Sequence, residues 1–79
     1  MNNIFKIKLN SVNNAALFVK QCGEFEEDID YIHGRYVIDA KSIMGIFSLD
    51  LSKSIDLNIH ATDAALDEIL VTLKPYLVD

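Results

Sequence analysis

The chain opens with a segment in which apolar and polar residues alternate. Phe5, Ile7 and Leu9 fall on one phase of the alternation, while Lys6 and Lys8 fall on the other. A period of two residues is typical of a strand with one buried face. The pattern therefore predicts a half-buried strand at the start of the chain.

The next segment has the spacing of a helix. Ser11 is the expected N-cap, and Gly23 ends the pattern. The apolar positions on the predicted buried face are Val12, Ala15, Ala16, Val19 and Cys22. An acidic turn over residues 24–28 follows. We interpret it as a solvated connection and not as a metal site, because no histidine or further carboxylate is spaced to complete a ligand set.

Two alternating segments joined by a tight turn predict a hairpin of the second and third strands. Ile29 and Tyr31 alternate with aspartates, and residues 35–39 continue after His33 and Gly34. The glycine can adopt the positive φ that such a turn uses.

The rest of the chain predicts a short helix, a fourth strand and a final helix. Ser42 is the expected N-cap of the short helix, and Thr62 is that of the final helix, which Pro75 ends. The fourth strand alternates through Ile55, Leu57 and Ile59, and the final helix has an apolar stripe at Leu66, Ile69, Leu70 and Leu73.

The predicted order is β-α-β-β-α-β-α, an α+β two-layer sandwich. With 79 residues and 51% hydrophobic residues, the chain is expected to be one domain over residues 1–79 with a core of its own. The residues predicted to be buried together between sheet and helices are Phe5, Ile7, Ile29, Ile55, Leu57, Ile59, Leu66, Ile69, Leu70 and Leu73.

Composition and charge exclude several classes of partner. The net charge of −5 and the isoelectric point near 4.7 argue against nucleic acid and anionic membranes. No apolar run approaches the roughly 18–20 residues of a membrane span, and the N-terminus lacks a signal-peptide pattern. The single cysteine, Cys22, excludes an internal disulfide and suits a reducing compartment. We expect a soluble cytoplasmic protein without cofactor or metal.

The short helix after Ser42 carries more apolar side chains than one face can bury. Ile46 and Leu49 can share the core-facing side, with Leu51 behind them. A second apolar set consists of Ile43, Met44 and Phe47. This second set is therefore either exposed for a partner or covered by another part of the chain.

The same stretch carries a family resemblance. Lys41-Ser42-Ile43-Met44-Gly45, followed by Ser48-Leu49, resembles the regulatory-serine segment of the histidine-containing phosphocarrier proteins (HPr) of the bacterial sugar phosphotransferase system. The resemblance continues more loosely through residues 52–57, and the element order extends it over nearly the whole chain. It implies an HPr-like open-faced sandwich: a four-stranded antiparallel sheet with three helices on one face.

The family's other signature is absent from the residues that should carry it. Members that carry phosphoryl groups have a histidine at the start of the first helix, with an arginine and a proline nearby. Imidazole is the nucleophile, the helix start offers free amides, and the arginine clamps the phosphate. Here residues 9–16 read Leu-Asn-Ser-Val-Asn-Asn-Ala-Ala. We interpret Ser11, Asn13 and Asn14 as a degenerate phosphocarrier site and expect neither carrier nor enzyme activity.

The remaining reactive side chains favour structural roles. His33 is expected in the turn between the second and third strands, and His60 on the polar phase of the fourth strand with no ligand partner. Cys22 lies on the apolar phase of its helix, where a buried, inert thiol is expected.

Ser42 is first of all a helix N-cap, and the resemblance makes it the candidate regulatory phosphoserine. Ile43, Met44 and Phe47 resemble the family's partner-docking residues. Partial burial in a dimer or beneath a loop is the alternative for them.

The first hypothesis is a regulatory, protein-binding HPr-like domain. Its partners would be a phosphotransferase-system enzyme, a serine kinase, a transcription regulator or a second copy of the chain. The alternatives are a working carrier that uses a relocated residue, and a small α+β interaction module unrelated to sugar transport.

Overall fold

The computed structural model describes residues 3–47 and 50–78, apart from the side chain of Ile43. The order of elements is the predicted one, with a short 3-10 helix added after the last α-helix. The elements are β1 (Ile4–Ile7), α1 (Val12–Gly23), β2 (Ile29–His33), β3 (Tyr36–Asp39), α2 (Ile43–Phe47), β4 (Ile55–Ile59), α3 (Asp63–Leu73) and the 3-10 helix Lys74–Tyr76. The α+β open-faced sandwich predicted from the sequence is confirmed.

The four strands form one antiparallel sheet in the order β1-β4-β2-β3. The outer edge of β1 is partly covered, because Leu77 forms a bridge with Ile7 and the Val78 amide donates to the Lys6 carbonyl at 2.9 Å. β3 is the other edge of the sheet, and within residues 3–47 and 50–78 no strand pairs with its outer side.

The core lies between the sheet and the helices. Of the predicted core, seven residues are buried, whereas Phe5, Leu66 and Leu70 are only partly buried against it. The buried hydrophobic residues are Ile7, Leu9, Ala15, Phe18, Cys22, Ile29, Tyr31, Ala40, Ile46, Ile55, Leu57, Ile59, Ala61, Ile69, Leu73 and Tyr76.

The buried face of α1 is rotated from the predicted one. Ala15, Phe18 and Cys22 form this face, whereas Val12 is exposed. The helical spacing was correct, but the pattern could not show that Phe18 fills the centre of the core. There its ring meets the rings of Tyr31 and Tyr76 edge to face, with centroids 6.3 and 5.4 Å apart.

Two local predictions need correction. His33 is the last residue of β2 and pairs with Tyr36, so the turn consists of Gly34 and Arg35, with Gly34 at φ 61°. Thr62 occupies the N-cap position of α3, but its side chain makes no capping hydrogen bond. The first helical residue, Asp63, has φ 54°, so the first turn begins outside the right-handed helical region.

No helix in the described part of the chain is long and apolar enough to cross a membrane. Within those same residues, no group of three or more histidine, cysteine or acidic side chains is arranged to hold a metal ion.

Candidate functional site

The start of α1 is organised by its own polar side chains. Ser11 has an extended backbone, and its Oγ accepts a hydrogen bond from the Asn14 amide at 3.1 Å, which is the predicted N-cap. The Asn14 side-chain amide donates to the Leu9 carbonyl at 2.8 Å. Ser11, Asn13 and Asn14 are all exposed. Their polar groups are therefore at the surface, with two of the three in local capping bonds.

A loop from the middle of the chain lies against this helix start. The Asn10 amide donates to the Leu51 carbonyl at 2.8 Å, and Asn10 itself adopts a left-handed φ of 70°. In the same loop, hydrogen bonds from the Ser52 hydroxyl and amide lower the pKa of Asp50, and the nearby charges of Lys53 and His33 add to the effect.

The two histidines lie at opposite ends of the sheet. Ile7 pairs with Ile55, and Ile32 pairs with Asp56, so the next residue of β2, His33, is at the end where α1 starts. His60 follows β4 at the far end, where its Nε2 lies 2.7 Å from Asp30 Oδ2. His60 is exposed as expected, but it has a carboxylate partner that the sequence did not reveal.

The start of α2 is capped by Ser42. Its Oγ accepts from the Gly45 amide at 3.4 Å, and its carbonyl accepts from the Ile46 amide at 3.2 Å. The Ser42 amide in turn donates to the Asp39 carbonyl at 2.9 Å, which joins α2 to the end of β3. Ser42 is exposed, so its hydroxyl is at the surface while it serves as a cap.

The two apolar sets of α2 separate as the sequence predicted. Ile46 is fully buried and Leu51 is partly buried, whereas Met44 is 80% exposed and Phe47 is 38% exposed. The side chain of Ile43 and all of Leu49 lie outside the described residues. Met44 and Phe47 therefore form an exposed apolar surface beside Ser42, which we call the α2 patch.

Gly45 is a position that the sequence reasoning passed over. A Cβ at this residue would lie 2.6 Å from Cγ2 of Ile38, closer than real Cβ atoms approach. The glycine thus lets α2 lie directly on β3. A glycine inside a five-residue helix was the available signal, since glycine disfavours helices unless close packing requires it.

Lys41 is not a free charge at the edge of the α2 patch. Its Nζ donates to the Phe25 carbonyl at 2.8 Å, and its amide donates to Asp39 Oδ1 at 2.9 Å. Lys41 therefore ties the α2 start to the turn after α1. Lys53 is exposed and keeps its side chain in solvent.

Cys22 is buried beneath this region, as predicted. Burial raises its pKa to about 12, although the charge of Lys41 acts in the opposite direction. A thiol with that pKa is almost entirely protonated at neutral pH, so Cys22 is not a candidate nucleophile.

Comparison with known proteins gives consistent results. The family model described as the phosphorylation site of the HPr component of the phosphotransferase system matches residues 11–78. A phosphocarrier protein HPr from Bacillus anthracis str. Ames is 30% identical, with a TM-score of 0.74 over 99% of this chain and 96% of that one. HPr-C-His from Thermoanaerobacter tengcongensis is 31% identical, with a TM-score of 0.68 over 92% of this chain and 89% of that one. No curated protein sequence matches the chain.

The sheet order, the helices on one face and the two helix starts define a phosphocarrier-like open-faced sandwich. The chain belongs to the HPr family of the phosphotransferase system. Proteins of this family act by interacting with other proteins of that system, so protein partners are expected here as well.

Proposed function

We propose that this protein is a regulatory, protein-binding member of the HPr family that does not carry phosphoryl groups on histidine. It acts in the cytoplasm through the α2 patch and is controlled at Ser42. The observation that carries the proposal is the contrast between the two helix starts. The polar side chains at the α1 start are only serine and asparagine, while the α2 start presents exposed Met44 and Phe47 beside an exposed serine.

The chemistry of the α1 start supports the first half of this proposal. Side-chain amides are not nucleophiles, so Asn13 and Asn14 cannot accept a phosphoryl group. The Ser11 hydroxyl already accepts a capping bond, and a serine phosphoester transfers its phosphoryl group onward poorly. Within the described residues, no hydrogen bond joins a lysine or arginine side chain to Ser11, Asn13 or Asn14.

The α2 patch supports the second half. Met44 and Phe47 offer a flexible side chain and an aromatic ring, both well suited to the centre of a small protein interface. A phosphate on Ser42 would add a charge of roughly −1.5 to −2 directly beside them. In a chain with a net charge of −5, that addition would favour a basic partner and repel an acidic one. The proposed partners are a phosphotransferase-system enzyme, a serine kinase or a transcription regulator.

Incubation with phosphoenolpyruvate and the general phosphotransferase enzyme tests the first half. The HPr from Bacillus anthracis, labelled in parallel, shows that the assay works. We expect no acid-labile phosphate on this protein, and stoichiometric labelling would refute the proposal.

One observation favours the alternative of a relocated acceptor, because the sheet register brings His33 to the end where α1 starts. A His33→Ala variant therefore accompanies the wild type in the same assay. Label that is present in the wild type and lost in this variant would identify His33 as the acceptor. Label lost only in His60→Ala would instead identify His60, at the far end of the sheet, as the phosphoryl acceptor.

Reaction with a purified HPr serine kinase and ATP tests the second half. Intact-mass measurement should show one added phosphate on the wild type and none on Ser42→Ala. Met44→Ala should weaken binding of the partner by about tenfold or more, as loss of an interface anchor does. Val71→Ala is the matched control, because Val71 is exposed on α3, outside the α2 patch. Equal binding by Met44→Ala and Val71→Ala would contradict the assignment of the surface.

A further inference from the structure

The outer edge of β3 is suited to a second copy of the same chain. We propose that two molecules associate by antiparallel pairing of their β3 strands about a two-fold axis at Val37, which joins the two sheets into one of eight strands. The proposal does not depend on Ser42 or on the α2 patch. It gives a second copy of the chain, one of the partners considered from the sequence, a specific surface and register.

The first support is that the edge is open while the opposite one is partly covered. β1 is shielded by Leu77 and Val78, whereas nothing in the described part of the chain pairs with the outer side of β3. Tyr36 and Val37, two of the four residues of β3, are 63% and 64% exposed. An edge strand with exposed apolar side chains and no lysine, proline or bulge is suited to pairing with another strand.

The second support is the direction of the free backbone groups. The Ala40 amide donates to the Ile29 carbonyl at 2.9 Å, so the even-numbered residues of β3 bond to β2. Hydrogen-bonding direction alternates along a strand, so the amide and carbonyl of Val37 and the amide of Asp39 point outward. Two Val37 residues placed opposite each other would therefore form a hydrogen-bonded pair about the two-fold axis.

The third support is charge complementarity in this register. With Val37 opposite Val37, Arg35 of each copy lies opposite Asp39 of the other. Val37 and Asp39 fall on the open face of the sheet, the side away from the helices, and Arg35 is the turn residue directly before β3. In the monomer, Asp39 lies directly opposite Asp30 on β2, a cross-strand pairing of like charges that is only partly relieved by His60 beside Asp30 and by the Lys41 amide, which donates to Asp39. An arginine from the second copy would offset that repulsion at both ends of the interface.

The helix side of the sheet is also complementary. In the same register Tyr36 of one copy lies opposite Ile38 of the other, and an aromatic side chain beside a β-branched one is a favourable cross-strand pair. Ile38 is partly buried beneath Gly45, whereas Tyr36 is 63% exposed, so the Tyr36 ring gains cover on association. The interface remains small, so we expect a weak dimer with a dissociation constant on the order of 0.1–1 mM.

Sedimentation equilibrium and backbone-amide spectra over a concentration series up to about 1 mM test the dimer. The wild type should rise from 8.9 kDa towards twice that mass, with concentration-dependent shifts at the Val37 and Asp39 amides. Val37→Lys places two ammonium groups at the axis and should remain monomeric. Ile4→Lys is the matched control, because Ile4 is also exposed on the open face but lies on β1. It should dimerise like the wild type.

A charge exchange tests the register. Arg35→Asp gives an interface with acidic residues at both ends, and Asp39→Arg gives one with basic residues at both ends. Each variant alone should be monomeric, whereas an equimolar mixture should form a heterodimer at least as readily as the wild type pairs. Because Asp39→Arg also loses the bond to the Lys41 amide, its unfolding midpoint is measured first to confirm that the monomer is folded.

A cysteine at the axis gives an independent measurement. In the proposed register the two Val37 Cα atoms are about 5.5 Å apart, which is within the range of a disulfide. Val37→Cys should therefore oxidise to a covalent dimer at least about tenfold faster than Ile4→Cys, while buried Cys22 stays reduced.

Three results would overturn the proposal. They are a wild type that stays monomeric throughout the series, a dimer that survives Val37→Lys, and a mixture of the two charge variants that fails to associate. If the edge of β3 binds a strand of a different protein and does not self-associate, the wild type stays monomeric, which is the first of these results.

Discussion

Truncation of three side chains on α2 gives the most direct test of which side of that helix is core and which is surface. Ile46 is fully buried, Phe47 is 38% exposed and Met44 is 80% exposed, all within one turn of backbone. Ile46→Ala removes three buried carbons and leaves a cavity, so it should destabilise the fold by about 2–5 kcal/mol. Met44→Ala removes contacts mainly with water and should change stability by less than ~0.5 kcal/mol.

Phe47 is the intermediate case. More than half of its surface is covered, so its truncation should lower stability by about 1–2 kcal/mol, below the ~3–5 kcal/mol of a fully buried phenylalanine. The effect is larger than the near-zero value that a purely exposed ring would give. Met44→Ala is therefore the cleaner variant for binding experiments, since a loss of affinity in Phe47→Ala is accompanied by some loss of fold.

Urea unfolding followed by circular dichroism measures all three free energies, provided that the slopes of the transitions agree. The reasoning is refuted if Ile46→Ala changes the free energy of unfolding by less than about 0.5 kcal/mol, or if Phe47→Ala costs as much as Ile46→Ala. The second result would place Phe47 in the core and remove the aromatic part of the α2 patch.

Three further predictions concern packing and titration. Gly45→Ala should destabilise the fold by about 1–2 kcal/mol, because the added Cβ would meet Ile38. Gly23→Ala has open space around it and should be neutral or stabilising by up to ~1 kcal/mol. Equal shifts in melting temperature for the two variants would contradict the close contact. Leu73→Ala should lower the free energy of unfolding by about 2–5 kcal/mol and Leu70→Ala by distinctly less, because of the two only Leu73 is fully buried. A lower denaturant midpoint for Leu70→Ala than for Leu73→Ala would show that the apolar stripe of α3 is rotated. Burial raises the pKa of Cys22 to about 12, so as the pH rises the unfolded chain loses the thiol proton before the folded protein does. The free energy of unfolding should therefore fall above about pH 9 by up to ~1.4 kcal/mol per pH unit. Cys22→Ala should flatten this slope between about pH 9 and pH 10. A wild-type slope no steeper than that of Cys22→Ala would show that the thiol is accessible.

Much of the fold was predictable because its signals are local. The period of two in β4 and the periods of three and four in α3 arise from the backbone geometry of each element, so a single sequence displays them. The Ser11 and Ser42 caps were found for the same reason, since a cap is a contact between residues three apart. The separation of buried Ile46 from exposed Met44 followed from the small size of the chain. The family was recognisable from the residues that follow Lys41.

The sequence by itself therefore determined the order of the elements, the two capped helix starts and the absence of a histidine from residues 9–16. The tertiary structure decided that α1 buries Phe18 and leaves Val12 in solvent, because several rotations of that helix satisfy its pattern and only the rings of Tyr31 and Tyr76 select one. It also decided that Lys41 is bonded to the Phe25 carbonyl and that Gly45 is needed against Ile38. Most importantly, it decided that β3 is a free edge of the sheet. Strand order depends on contacts between residues far apart in the chain, and no local periodicity encodes such contacts.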